Sequence, residues 1–478
     1  MSKIEVDAID KQSGSTLTLG GSGTAVTLAC GATQSGFGRT GTVDWITTPK
    51  TSDFTAVSGE GYFVNSAGGA VIVTLPSSPA ANSIVSVSDY VGSAGTNSIT
   101  VARNGSNING DASNYIITKQ DSAVTFVFVD ATAGWTSVNT SSVADNVNNF
   151  IAATISGACN TLVTCGSFKI ATFKGPGNFT VTNAGNAGGS NKVDYLVVAG
   201  GASGGGGNNA GAGGGGGGGL RVSPGAETGC WTSSPLGASP AVALPVSVQA
   251  YPITVGGGGA SVAAGCGNGP AGNNGNNSIF STITSAGGGG GGGHCAVSKS
   301  GGSGGGGAGA GSTIPGPGGS GNTPPVTPPQ GQNGGSGGSP ASVNYPSGGG
   351  GGAGGAGTSR GPNSLPGGPG GLGIQVNIDG NNYYWSGGGG GPAWTGGGNG
   401  GDGGIGGGGA GGAGETGPGT PGSGGGSAIN SGGPAPNGRQ GGAGGTNSGG
   451  GGGGGNGGPG NSGAGGSGIV IIRYKFQE

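Results

Sequence analysis

Few side chains in this sequence could carry acid–base or nucleophilic chemistry, and their spacing matches no catalytic arrangement. His294 is the only histidine, and Cys295 follows it directly. Adjacent residues rarely face each other productively, so this pair does not predict a cysteine nucleophile with its base. Carboxylates that could pair for glycoside hydrolysis are scattered, and their spacing brings no two together: Asp44, Asp53, Glu60, Asp89 and Asp111. We therefore predict that the protein is not an enzyme and has no catalytic residue.

Metal and cofactor sites are not predicted either. None of the six cysteines has the two-residue spacing of zinc or redox motifs: Cys30, Cys159, Cys165, Cys230, Cys266 and Cys295. A local disulfide between Cys159 and Cys165 and a pair of buried free thiols both remain open. Patterns of the G-x-G-x-x-G type are expected by chance at this glycine content and carry no nucleotide signal. The segment around Asp402 approaches a calcium-binding repeat only once, with Gly404 at its aliphatic position.

The composition excludes several classes of protein. Glycine supplies 135 of 478 residues, whereas charged residues are 7 % and aromatic residues 5 %, so a conventional catalytic domain is not expected. The net charge is −2 and lysine and arginine form no run, which predicts no nucleic-acid partner. No apolar stretch reaches the length of about 18 residues that a spanning helix needs. The first ten residues lack a secretory apolar segment, so we expect synthesis and assembly in a cytoplasm.

Short β-branched and aromatic segments, broken by Gly, Ser, Asn and Pro, predict an all-β chain in four parts. Residues 1–42 are predicted as a β shaft for attachment and oligomerisation, because strands this short need a core shared between chains. Residues 43–142 have regular turn signals and predict a β-sandwich-like domain. A linker is predicted over 143–165. Residues 166–478 are predicted as a glycine-rich domain with a β scaffold and presented loops.

Uninterrupted glycine runs such as Gly213–Gly219 and Gly287–Gly293 dominate this last part. Flexible linker sequence is one explanation, but strand-like segments keep interrupting the runs. A collagen helix needs glycine at every third position, and the sequence does not keep that period. Polyglycine II helices explain the runs best, because their backbone groups all point outward and only chains without a Cβ can pair on every side. We therefore predict a bundle of packed polyglycine II helices framed by strands.

Long phrases in both halves carry a family resemblance. The first half contains ATQSGFGRTGTVDW at 32–45 and TVARNGSNINGDA at 100–112. The second half contains CGSFKIATFKGPGNFTVT at 165–182 and GSGIVIIRY at 466–474. These phrases resemble tail-fibre-type virion proteins of marine tailed phages, such as those of cyanobacteria and pelagic bacteria. The glycine-rich half is also similar to the distal adhesins of T-even-like tail fibres, in which loops between stacked glycine helices contact the receptor.

The resemblance implies a virion tail fibre that acts as an adhesin, with other tail proteins and a host glycan or outer-membrane protein as partners. A homo-oligomer, most simply a homotrimer, is expected. Loops on a rigid scaffold carry binding, and aromatic side chains suit sugars or proteins; the candidate receptor-binding residues are Tyr383, Tyr384, Trp385, Trp394 and Trp231. The same rings could instead cap the glycine bundle. An architectural fibre or decoration subunit and a polysaccharide-degrading tailspike remain alternatives.

Overall fold

The computed structural model describes residues 43–477 except for 139–148, 187–188, 208–209, 226, 230, 232–241, 265–268, 295, 310–315, 339–344, 362–363, 395–397, 415–418, 437 and 458–459. The predicted β shaft over 1–42 therefore lies outside the described residues. The chain divides into two compact units, unit 1 (Met1–Val147) and unit 2 (Asn148–Glu478). The described residues contain strands in several open sheets and no α-helix, so the prediction of an all-β chain is confirmed. Within that part of the chain, no segment forms a helix that could span a membrane.

Unit 1 consists of two sheets between which the chain passes back and forth. The first six strands alternate between the sheets, and in each sheet they pair in parallel. Three more strands then add on in antiparallel fashion. The strands are β1 (Asp44–Lys50), β2 (Phe54–Thr55), β3 (Glu60–Val64), β4 (Val71–Thr74), β5 (Ile84–Asp89), β6 (Ile99–Ala102), β7 (Tyr115–Ile117), β8 (Ala123–Asp130) and β9 (Gly134–Ser137). One sheet has the order β1-β3-β5-β8-β9 and the other β2-β4-β6-β7.

The core of unit 1 lies between these two sheets. Residues that alternate along each strand point inward, as the pleat of a strand requires. Tyr62 and Val64 on β3 meet Val71 and Val73 on β4 in one apolar cluster. The Trp135 side chain on β9 is fully buried in the same cluster, so this large apolar side chain contributes to the packing of unit 1.

Unit 2 begins inside the segment predicted as a linker. Residues 151–155 and 161–165 form strands β10 and β11, so the linker prediction over 143–165 was wrong for these residues. Exposure alternates along β10: Ile151 and Ala153 are buried, whereas Ala152 and Thr154 are exposed. Cys159 precedes β11 and Cys165 is its last residue, and both are free and exposed, so they form neither a disulfide nor a pair of buried thiols.

Two large sheets and one short hairpin frame the glycine segments. One sheet has the order β10-β13-β17-β18-β19, the other β11-β12-β22-β14-β15 with β16 also on β14, and β20 pairs with β21. The strands of unit 2 are β10 (Ile151–Ile155), β11 (Thr161–Cys165), β12 (Phe168–Phe173), β13 (Gly177–Ala184), β14 (Lys192–Val198), β15 (Leu220–Val222), β16 (Leu244–Pro245), β17 (Ala250–Thr254), β18 (Ser278–Phe280), β19 (Ile283–Ser285), β20 (Ile374–Gln375), β21 (Tyr384–Trp385) and β22 (Ile469–Lys475).

The central strand β22 is buried on both faces. Val470 and Ile472 join the core between the two large sheets, which also contains Phe179 and Phe280. Ile469, Ile471 and the neighbouring residues of β14 face the other way, into a second core that contains the hairpin residue Trp385. The continuous apolar sequence of β22 follows from this two-sided burial.

Candidate functional site

The central glycine run of unit 2, Gly213–Gly219, donates its backbone N–H groups to three neighbouring segments in strict rotation. Every third residue donates to the same neighbour, at distances between 2.7 and 3.2 Å. The first neighbour accepts from 213, 216 and 219 through residues 292, 289 and 286, the second from 214 and 217 through 348 and 351, and the third from 215 and 218 through 452 and 449. Backbone groups buried in a glycine interior are therefore paired, as buried peptide groups must be.

The carbonyl groups of the same run accept hydrogen bonds from three further segments. Residues 205, 202 and 199 donate to 213, 216 and 219, residues 306 and 303 donate to 214 and 217, and residue 389 donates to 215. The remaining carbonyl, that of Gly218, accepts from the Ser386 hydroxyl. Six segments thus surround one run, with a period of three residues. We call this network the glycine lattice.

The spacing inside the glycine lattice leaves no room for a side chain. A Cβ built on Gly213 would lie 1.9 Å from the carbonyl oxygen of Gly306, and one on Gly218 would lie 2.0 Å from that of Ala199. Real Cβ atoms do not approach closer than 3.0 Å. Only glycine permits this approach of backbones from every side, which explains why the runs are uninterrupted.

Short polar side chains close the edges of the glycine lattice. Asn277 and Asn274, three residues apart, accept hydrogen bonds from the N–H groups of Gly287 and Gly290 at 2.9 and 3.0 Å. Elsewhere on the edge, Asp402 accepts from the N–H of Ser423 at 2.6 Å. The side-chain oxygen therefore replaces the carbonyl of a further segment. The three-residue spacing of these side chains was present in the sequence, but its role depends on which segments become neighbours.

The β20–β21 hairpin holds three of the predicted receptor-binding residues on the lattice. Trp385 is fully buried, and its indole N–H donates to the carbonyl of Val376 at 2.9 Å. Tyr383 packs edge-on against Trp385 with 5.8 Å between ring centroids. Tyr383 and Tyr384 are both half-buried, so they offer surface that Trp385 does not. Trp385 anchors the hairpin, and the two tyrosines are the accessible part of this aromatic group.

The tip of this hairpin is polar. Gly380 has a φ of +90°, which a residue with a side chain rarely adopts, and it follows Asp379 in the turn. Asp379 accepts from the Asn381 N–H at 3.1 Å. Burial raises the pKa of the Asp379 carboxyl, while its hydrogen bonds to Asn381 act in the opposite direction. Asn381 and Asn382 are exposed beside the tyrosines, so amide groups and aromatic rings lie together at one place on the surface.

The other two predicted residues lie apart from that hairpin group. Trp394 is half-buried, and its ring lies so close to the backbone of Gly457 that a Cβ there would overlap the ring at 1.7 Å. Trp231 is only 9 % exposed and belongs to the second core of unit 2. Its indole N–H donates to the hydroxyl of Thr228 at 3.2 Å. Both rings therefore pack against the protein over much of their surface.

A buried polar cluster around Asp194 was not found by sequence reasoning. Asp194 is fully buried on β14 and accepts from the hydroxyls of Ser223 and Thr228 at 2.6 Å each and from the Thr228 N–H at 2.9 Å. The Ser223 hydroxyl in turn accepts from the N–H of Tyr195 at 3.0 Å. These bonds compensate the burial of the carboxylate. The only sequence signal was an acidic residue inside an apolar strand.

The described residues bring together no group of three His, Cys, Asp or Glu side chains that could hold a metal ion. The Nδ1 atom of His294 is buried without a hydrogen-bond partner, and Cys295, which follows it in the sequence, lies outside the described residues.

The fold and this network define a class of all-β protein in which strands frame a domain of packed glycine backbone. A family model described as a glycine-rich domain matches residues 172–446. Because the match covers more than half of the chain, the chain belongs to this glycine-rich domain family, and the predicted glycine-rich domain is confirmed. No curated protein is similar enough to the chain to be counted as a relative.

Proposed function

We propose that the glycine segments of unit 2 are polyglycine II helices, and that their lattice is a rigid scaffold for host-cell adhesion by a phage tail fibre. The rotation of donors among three neighbours supports the helix assignment. A polyglycine II helix has about three residues per turn and no internal hydrogen bonds, so successive N–H groups point in three directions. The pairing of Gly213–Gly219 with six segments is the pattern that such helices produce when packed side by side.

The observation that carries the adhesin proposal is the arrangement of the β20–β21 hairpin. Trp385 is held in the core, while Tyr383, Tyr384 and the exposed amides of Asn381 and Asn382 remain at the surface. Binding groups on a rigid support lose little conformational entropy when a ligand binds. Rings with a polar tip, flanked by amide donors and acceptors, suit a host glycan or the loop of an outer-membrane protein.

The proposed protein is a virion component that assembles in the host cytoplasm as a homotrimer and joins other tail proteins. Several copies of a weak site would bind one cell surface by avidity, so each site needs only modest affinity. This proposal rests on the resemblance of the sequence to marine tailed-phage fibres together with the geometry of the hairpin.

The test is binding of the labelled full chain to a panel of marine cyanobacteria and pelagic bacteria. Amide hydrogen exchange is measured first, and slow exchange over Gly213–Gly219 is expected if the glycine lattice is present in solution. We expect saturable binding to one or more hosts. The double variant Tyr383→Ala and Tyr384→Ala should weaken host-cell binding by at least about tenfold, because the substitutions remove both aromatic rings from the surface.

The matched control is Leu372→Ala, since Leu372 is 54 % exposed in unit 2 but lies outside the hairpin. Equal loss of binding in the control and the tyrosine variant would contradict a role for the hairpin. Slow exchange without binding to any host would favour the architectural subunit, and release of reducing sugar from host envelopes would favour the tailspike. Fast exchange throughout the glycine runs would contradict the helix assignment.

A further inference from the structure

We propose that the outer face of the five-stranded sheet in unit 1 binds an uncharged polysaccharide. The face carries an aromatic row, which we define as Trp45, Phe63 and Tyr90. Trp45 lies on β1, Phe63 on β3 and Tyr90 directly after β5, so the row crosses three neighbouring parallel strands. The rings of Trp45 and Phe63 are stacked with 4.8 Å between centroids, and those of Phe63 and Tyr90 meet edge-on at 6.1 Å.

The aromatic row faces solvent and not the core of unit 1. Tyr62 and Val64 on β3 belong to the core, and side chains alternate along a strand, so Phe63 points to the opposite face. Trp45 is 43 % exposed and Tyr90 52 % exposed. Large apolar side chains that share one exposed patch are characteristic of binding surfaces.

The indole of Trp45 lies close to the backbone of β3 because its partner in register is a glycine. Trp45 pairs with Gly61, and a Cβ on Gly61 would lie 2.8 and 2.9 Å from the indole atoms Cδ2 and Cε3. The ring therefore packs against the backbone of β3 and stacks on Phe63. The 43 % of Trp45 that stays exposed is the part that a ligand can contact.

The positions in register with the aromatic row carry small or hydroxyl side chains. Ser86 and Ser88 follow on β5, opposite Thr125 and Ala123 on β8. Ser86 is only 2 % exposed, and its hydroxyl is hydrogen-bonded to that of Thr125 at 2.7 Å. Ser88 and Thr125 are partly exposed, so theirs are the hydroxyls that a ligand can reach. None of these positions is charged, so a charged ligand would lose its hydration without gaining a partner.

Exposed rings beside uncharged hydroxyl groups favour a sugar over a protein partner. The apolar C–H face of a pyranose stacks on the negative face of an aromatic ring, and its hydroxyls can bond to serine or threonine. Protein partners instead anchor on side chains that fill pockets. The inference goes beyond the proposed function, because the row lies on a different unit from the tyrosine hairpin and does not depend on it.

The experiment is affinity electrophoresis of the full chain in native gels that contain hydroxyethyl cellulose, dextran or mannan, with anionic alginate for comparison. We expect retardation by one or more of the three uncharged polysaccharides. Trp45→Ala should raise the dissociation constant by about tenfold, the usual size of a stacking contribution, and Tyr90→Ala should also raise it. Because Tyr90 is half-exposed, its variant keeps the test valid if Trp45→Ala reduces folding.

The control is Ile72→Ala, since Ile72 is 42 % exposed on β4 in the other sheet of unit 1, and it should bind like the unaltered chain. Absence of retardation by all three uncharged polysaccharides would overturn the proposal. So would retardation of the Trp45 and Tyr90 variants equal to that of the unaltered chain, or stronger retardation by alginate than by the uncharged polysaccharides. Self-association in sedimentation velocity that is lost in Trp45→Ala, without retardation in the gels, would identify the face as a contact between copies instead. Loss of cell binding in the hairpin variants is measured separately, so the two proposals can fail independently.

Discussion

Replacing one glycine of the glycine lattice by alanine should destabilise unit 2 far more than the same replacement at an open position. Gly213→Ala is the sharpest case, because the new Cβ would lie 1.9 Å from the carbonyl oxygen and 2.4 Å from the carbonyl carbon of Gly306. To restore 3.0 Å, the two backbones must separate by about 1.1 Å, and close-packed interiors resist such shifts.

The magnitude follows from the hydrogen bonds that this separation breaks. Gly306 donates to Gly214 at 2.7 Å and accepts from Gly292 at 2.8 Å, and Gly213 donates to Gly292 at 2.8 Å. A buried backbone group left without a partner costs about 1–3 kcal/mol, so the loss of two of these three bonds costs about 2–6 kcal/mol. We expect a decrease of about 4 kcal/mol in the free energy of unfolding, in the middle of that range.

The matched control is Gly426→Ala in the same unit. A Cβ on Gly426 meets nothing within 4 Å, and its φ lies outside the left-handed region. This variant should change the free energy of unfolding by less than about 1 kcal/mol. The change should be an increase, because alanine reduces the conformational entropy of the unfolded chain. Urea unfolding of both full-length variants, followed by tryptophan fluorescence and by hydrogen exchange over Gly213–Gly219, makes the comparison. Equal midpoints for the two variants would refute the reasoning that backbone approach requires glycine here.

Three further predictions concern buried side chains. Trp385→Ala should lower the free energy of unfolding by about 3–5 kcal/mol, as for other buried aromatic residues, whereas Tyr384→Ala should cost less than half as much in the same urea experiment. Asp194→Ala should cost about 2–5 kcal/mol because its donors lose their acceptor, and Asp194→Asn should recover part of the loss. Burial is the main cause that raises the pKa of Tyr62 and of Tyr474 to about 12 from the ordinary 10.0. The stability that each neutral tyrosine gives to the folded state is complete below pH 10 and is lost as the pH rises through about 12. The urea midpoint should therefore fall between about pH 9 and pH 11.5, and Tyr62→Phe should reduce that fall.

Several features of the fold could be predicted from local sequence. The β-branched and aromatic segments with turn residues between them identified strands such as β13 and β22, because alternation and strand propensity are local properties. The uninterrupted glycine runs indicated a backbone-only interior, since no other residue permits approach from all sides. The aromatic cluster at 383–385 was also visible, but not which of its rings faces the core.

Other features depended on contacts between distant residues. The linker prediction failed at β10 because a pattern over five residues is too short to identify a strand. Its partner is the distant strand β13, and that pairing is visible only in the structure. The parallel winding of β1 to β6 between two sheets has no local signal, because each strand pairs with the next but one. The stacking of Trp45 on Gly61 arises from this register, so the aromatic row of unit 1 could not be recognised in advance.

The sequence by itself determined the structural elements of this protein, which are strands with alternating side chains and glycine runs that can pack only through their backbones. Tertiary structure alone decided which six segments surround Gly213–Gly219, and that Trp385 is buried while Tyr383 and Tyr384 reach the surface. The physical reason is that glycine carries no side chain to distinguish one neighbour from another. The choice of neighbours therefore rests on the surrounding strands and on the polar side chains at the lattice edge, and their positions are set only when the whole chain folds.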